Sequence, residues 1–271
     1  MSVRSYAALR ASARLATAGL RALPSFLIVG AQKAGTSSLY SYLTEHPQII
    51  GAEKKEVGYF GVNYREGEAW YRQHFPTQIT LDLRDAITGE ATPYYLYHPL
   101  AARRIVDLVP DVKIIVLLRD PVRRTLSHYW HARHHGFEFF DLREAIDMEA
   151  IRLNGEETRL EDHWKAQSYN HRHRAYVDRS RYAKQLKRYL DRFDSDQMRV
   201  VRSEHLFADV QGTVDRVTDF LGLDRFSIPE TSPRNSRSYP EPDADIVTKL
   251  REHFAPHNQK LYSLLGRDLG W

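Results

Sequence analysis

The sequence predicts an α/β protein built on a doubly wound, mainly parallel sheet whose central strands are flanked by helices. Residues 26–29 (FLIV) and 112–118 (VKIIVLL) are apolar runs of strand length, the pattern of strands covered on both faces. Each run feeds a polar helix start, Gly30 to Ser38 in one case and Arg119 to Pro121 in the other. Strands that each lead into a helix imply crossover connections and parallel neighbours, and ligands of such sheets collect at the carboxyl ends of the strands. With 271 residues and no internal repeat, the chain suits a single domain over 25–271 behind a basic segment, 1–24.

Residues 1–24 contain Arg4, Arg10, Arg14 and Arg21 and no acid, so they account for the whole net charge of +4. The remainder is close to neutral, which removes the nucleic-acid reading a basic protein invites. Leu9, Leu15 and Leu20 give the segment an amphipathic character, read as a helix packed on the domain, with weak contact to a membrane surface as the alternative. No apolar run approaches the ~18 residues that span a bilayer. The chain has no cysteine, hence no disulfide or thiolate metal site, which fits a cytoplasmic compartment.

From the first strand onward, Gly30 and Gly35 permit a sharp turn before Thr36, Ser37 and Ser38 open a helix carrying Leu39, Tyr40 and Leu43. A helix start aims unpaired N–H groups at the loop and favours an anion, usually phosphate. The spacing matches the glycines of G-x-x-x-x-G-K-[ST], so the loop is P-loop-like. Yet Thr36 stands where the lysine belongs, and the loop's lysine is Lys33. That argues against ordinary ATP or GTP hydrolysis and sets a cation near the bridging region of a shorter anhydride.

After the break at Pro47, a polar loop holds Glu53, Lys54, Lys55 and Glu56, followed by Tyr59 and Phe60; Trp70, Tyr71 and Phe75 recur at helical spacing as core. Residues 89–97 (GEATPYYLY) sit at a strand end, since Pro93 excludes a helix interior. A helix over 99–109 turns Leu100, Ile105 and Leu108 inward and stops at Pro110. Behind the second strand, Asp120 caps a helix and Pro121 takes its first position, with Arg123, Arg124, Ser127, His128 and Trp130 following. Arg119 and Lys33 should then face one cleft. A helix over 139–152 precedes a polar excursion to about Arg179 with His163, His171 and His173; helices at 182–193, 214–221 and 246–265 and a strand at 198–203 complete the chain. His128, His131, His134 and His135 fall near one helix face, but their spacing matches no known ligand set and no metal is expected.

Taken together, the Lys33 loop, KKEVGYF at 54–60 and RDPVRRTLSHYW at 119–130 resemble the sulfotransferase family, most closely its heparan sulfate type, which uses 3′-phosphoadenosine-5′-phosphosulfate (PAPS) as donor. GEATPYY, SRYAKQLKRYL at 180–190, FLGL at 220–223 and the C-terminal run from RSYP to the final tryptophan extend the resemblance over most of the chain. It implies that Lys33, Ala34, Gly35, Thr36, Ser37 and Ser38 cradle the 5′-phosphosulfate, that Arg119 and Ser127 hold the 3′-phosphate, and that Arg237 closes over the nucleotide. Glu56 falls on the family's catalytic base, Lys33 would stabilise charge on the leaving oxygen, and Lys55 could touch the sulfuryl group. Glu90 is the rival base, preferred as a structural or substrate-binding carboxylate, and Tyr94 and His128 join it as candidate acceptor contacts.

The implied reaction moves a sulfuryl group to a hydroxyl, with an amine as second choice, of a carbohydrate or sugar-bearing metabolite, and leaves 3′,5′-adenosine diphosphate (PAP). Ala91 stands where many relatives have lysine, and Asn235 and Ser236 precede Arg237 where lysines and a glycine are common, which implies either weaker donor affinity or contacts redistributed to Arg234. The disulfide hairpin of the animal enzymes cannot form without cysteine, nor does the sequence carry their membrane anchor, which suggests a soluble, bacterial or cytosolic relative. Two alternatives stand beside this reading: an ATP-dependent P-loop kinase with Asp120 on magnesium, and a nucleotide-binding or lipid-surface module.

Overall fold

The computed structural model describes residues 3–231 and 239–271. In chain order its elements are α1 (Val3–Ala16), β1 (Phe26–Gly30), α2 (Thr36–Leu43), β2 (Ile49–Gly51), α3 (Glu68–Arg72), α4 (Gln78–Leu83), β3 (Ile87–Ala91), α5 (Ala101–Leu108), β4 (Lys113–Leu118) and α6 (Pro121–His134). There follow α7 (Leu142–Asp147), α8 (Glu149–Leu153), α9 (Glu156–Asp162), α10 (Tyr169–His173), α11 (Tyr182–Leu190), β5 (Met198–Arg202), α12 (Ser203–Ala208), α13 (Val210–Leu221) and α14 (Ala244–Leu265).

The five strands form one parallel sheet in the order β2-β3-β1-β4-β5. Every residue of β1 is buried, and in β4 only Lys113 is not, so both faces of the centre are covered, as the unbroken apolar runs require. Phe26 lies opposite Gly89 and Lys113, and a Cβ on Gly89 would stand 2.4 Å from the Phe26 ring; glycine there lets the ring pack between the strands. After β3 the chain crosses β1 to reach β4. The reversal leaves a crevice beyond the carboxyl ends of β1 and β4, where residues 31–35 and 119–120 lie.

Three expectations are corrected. The three-residue edge strand β2 falls in a stretch with no expected strand, whereas GEATPYYLY does sit at a strand end, its first three residues closing β3. The helix expected over 139–152 is two, α7 capped by Asp141 and then α8, with Phe139 ahead of them and 74% exposed. The polar excursion is helical in part: α9 begins after the left-handed Gly155 and α10 is capped by Ser168. At the N-terminus, Arg14 docks α1, its Nε donating to the Gln73 carbonyl at 2.6 Å and pairing with Glu53 at 2.7 Å, its Nη2 donating to the Phe75 carbonyl at 3.0 Å. Leu9, Leu15 and Leu20 face outward.

Candidate active site

The loop after β1 is held from both sides. The Ala31 N–H donates to the Leu117 carbonyl of β4 at 2.6 Å, and the Ala34 N–H turns back to Ala31 at 3.1 Å. Lys33 and Gly35 both take positive φ, 71° and 96°, and Gly35 is the N-cap of α2. A Cβ on Gly35 would lie 3.0 Å from the Phe207 ring in a conformation already strained for an L residue. This geometry sets Thr36, Ser37 and Ser38 in the first turn of α2, with Thr36 and Ser38 buried. The N–H groups of that turn have no carbonyl of their own helix to meet and suit an anion.

Arg119 follows β4 directly. Its Nη1 donates to the Lys33 carbonyl at 3.0 Å, and its own carbonyl accepts the Tyr182 hydroxyl at 2.8 Å. The guanidinium is thus tied to the backbone of the loop. Ser127, on α6, is 6% exposed. Asp120 spends its carboxylate on the helix start, accepting the Arg123 N–H at 2.7 Å, with Pro121 at the first helical position. Arg237, together with Arg234, Asn235 and Ser236, lies outside the described residues.

The charge run before Tyr59 is not a uniformly solvated face. Glu53 pairs with Arg10 and Arg14, the Lys54 ammonium stands 5.0 Å above the Trp70 ring, and the Lys55 Nζ lies 2.8 Å from Glu56 Oε1. Glu56 turns at a φ of 59° with its side chain more than half exposed. Glu90, the rival base, is 0% exposed, and its carboxylate accepts the hydroxyls of Tyr71, Tyr95 and Thr92 at 2.9, 2.8 and 2.7 Å. Burial raises its pKa against the pull of these donors.

All three candidate acceptor contacts sit inside the wall rather than on it. Glu90 is enclosed as above. Tyr94 is 9% exposed with its hydroxyl 2.9 Å from the His171 Nδ1. His128 is 1% exposed and edge-on to Tyr176; burial, then the charges of Arg124 and Arg179, and more weakly His131 and Lys33, hold its ring neutral. For Tyr94 and His128 the physical reason is shared: the segment 171–180 packs over α6 and over the chain after β3. That segment brings Arg179, which sequence reasoning missed. Its Nη2 donates to the Pro93 carbonyl at 3.3 Å and its guanidinium lies 5.2 Å from the Tyr94 ring. Burial and the neighbouring Arg124 bring its pKa down to about 10, opposed by Tyr94, Tyr97 and the Glu56 carboxylate. Nothing local in the polar excursion singles Arg179 out among its many arginines.

The sulfotransferase domain family matches residues 23–239, a stretch that holds the loop after β1, Arg119 and Glu56. The chain belongs to the sulfotransferase family. Over 283 residues this sulfotransferase is 33% identical to human heparan sulfate glucosamine 3-O-sulfotransferase 3B1, covering 93% of this chain and 66% of that protein. It is 29% identical over 317 residues to the membrane-associated sulfotransferase kil1 of Dictyostelium discoideum, covering 93% and 67%. The chain thus spans about two thirds of the length of these curated relatives. A sulfotransferase from Alicyclobacillus acidocaldarius has the same fold, with a TM-score of 0.68 at 33% identity over 92% of this chain and 98% of that one.

Proposed function

We propose that this sulfotransferase moves a sulfuryl group from PAPS to a hydroxyl of a carbohydrate or sugar-bearing metabolite, in preference to an amine. The observation that carries the reading is the bond from the Arg119 guanidinium to the Lys33 carbonyl, because it brings two anion sites at neighbouring strand tips within reach of one bis-phosphorylated nucleotide. The residues fit such a ligand. Lys33 and the amides of residues 34–38 suit the phosphosulfate end; Arg119, planar and able to bond two oxygens at once, suits the 3′-phosphate, with Ser127 on the following helix and Arg237 completing the set. The donor supplies an activated sulfuryl group on a phosphosulfate anhydride.

The Glu56 carboxylate takes the acceptor's proton as its oxygen attacks sulfur in line with the departing phosphate. The Lys33 ammonium opposes the negative charge that grows on the bridging oxygen, and Lys55 lies beside Glu56, within reach of the sulfuryl oxygens. The kinase alternative loses support on two counts: Thr36 fills the lysine position, and Asp120 is engaged as a helix cap. Among the described residues no helix is long and apolar enough to cross a membrane. The absence of cysteine favours a cytoplasmic site of action. A thermal-shift comparison tests the donor: PAP at 100 times its Kd should raise stability by about 2.7 kcal/mol. ATP or AMP matching PAP at equal concentration would overturn the assignment.

A further inference from the structure

Two amides of the catalytic loop are bonded to the end of β3. The Glu56 N–H donates to the Ala91 carbonyl at 3.1 Å and the Gly58 N–H to Thr92 Oγ1 at 3.2 Å, and the Val57 amide between them helps to lower the Glu90 pKa against burial. The Thr92 hydroxyl in turn donates to Glu90 Oε2 at 2.7 Å. A carboxylate enclosed this deeply destabilises a core unless several donors meet it, and an apolar side chain would fill the space without that cost. Packing alone does not account for it.

We propose that Glu90 and Thr92 are positioning residues for Glu56. They fix the left-handed turn, φ 59° at Glu56 and 73° at Gly58, on which the Glu56 carboxylate is presented. The proposal rests on the reading of Glu56 as the base. Hydrogen-bond chemistry gives the relay a direction. An ionised Glu90 only accepts, so the Thr92 proton points to it and a lone pair on Oγ1 is left for the Gly58 N–H. Valine fills the same volume and can neither give nor take. Because the Glu56 side chain is more than half exposed, packing does not orient it, and the backbone turn is its rigid reference. A displacement of about 1 Å at a reacting group can cost on the order of a hundredfold in rate.

Thr92→Val and Thr92→Ser are compared on the full chain, alone and combined with Glu56→Gln, with PAPS as donor and heparan sulfate as the acceptor probe. Thr92→Val is expected to lower kcat roughly ten- to a hundredfold with the KM for PAPS within about twofold. In the free protein it should speed amide hydrogen exchange at 56–58 while leaving 31–38 unchanged. Thr92→Ser, which keeps the hydroxyl, should restore both. In the Glu56→Gln background, Thr92→Val should cost less than about a further twofold, since a base already lost cannot be misplaced. Wild-type turnover and exchange in Thr92→Val, or the same fold loss in both backgrounds, overturns the positioning role while leaving the base in place. Full turnover by Glu56→Gln alone overturns the base, and the positioning role with it. If Thr92→Val does not fold, Glu90→Gln carries the same comparison with the same two outcomes.

Discussion

Lys33 and Glu56, one singled out by the glycine loop and the other by the family resemblance, hold a backbone conformation that costs a residue with a Cβ on the order of 1–3 kcal/mol. Asp85 shares that conformation, at 47°, but it precedes β3 at the opposite end of the sheet, so the strain marks the site only in combination with position. Lys33→Ala is expected to lower kcat by about 10²–10³, the loss typical of removing one group aimed at developing charge. Glu56→Gln should lower it by about 10²–10⁴ while the stabilisation by PAP stays as in the wild type. A glutamine variant within threefold of wild-type turnover would end the assignment of Glu56. At this scale the sequence was informative where chemistry and glycine spacing coincide, as at Lys33. It was uninformative for Thr92 and Arg179, whose roles depend on segments 34 and 86 positions away in the chain.

At the scale of elements, the strands that were legible are those buried on both faces, because such strands need nothing but apolar side chains. Of β3 (ITGEA) only the end was legible, the rest being obscured by its polar content: its glutamate is tolerable only because Tyr71 and Tyr95 reach it, and its glycine makes room for Phe26. α1 forms the helix packed on the domain that the sequence suggests, and its arginines serve as donors to backbone carbonyls. Arg14 bridges the Gln73 and Phe75 carbonyls and pairs with Glu53, three residues before the proposed base. Arg14→Ala is therefore expected to lower stability by about 1–3 kcal/mol, read as a shift in the urea midpoint, with the thermal shift by PAP retained. Loss of PAP binding in that variant would mean that α1 supports the donor loop as well.

For the whole molecule, one electrostatic consequence of folding is the burial of neutral histidines. Burial lowers the pKa of His74 to about 4 and of His98 to about 3, and with nearby charges it lowers His128 and His171 well below the ordinary value. The unfolded chain takes up these protons near pH 6.5 and the folded chain does not, so stability is full above about pH 6.5 and is lost as pH falls. Each such histidine contributes up to about 1.4 kcal/mol per pH unit. Glu149 acts in the opposite sense. Burial raises it to about 7 against the amides of residues 176–178, so its contribution is full below about 4.5 and is lost as pH rises through 7. Glu90, which burial also raises, acts in the same sense as Glu149, but with His173, lowered to about 4, five histidines outnumber these two carboxylates, and the urea midpoint should fall from pH 7 to pH 5.5. An unchanged midpoint over that range would show that these rings are solvated or charged in the folded protein.

The order of apolar runs and helix starts was enough to determine the parallel sheet, the glycine turn after β1 and the meeting of that loop with Arg119, because these follow from periodicity and from where strands end. Only the tertiary structure decided which polar residues face the crevice and which are enclosed. Glu90, Tyr94 and His128 look like ligand contacts in a linear chain, yet each is buried by hydrogen-bond and packing partners distant in sequence. Burial of a polar group is settled by whether donors and acceptors from other segments arrive to meet it, and that matching is a property of the packed chain alone.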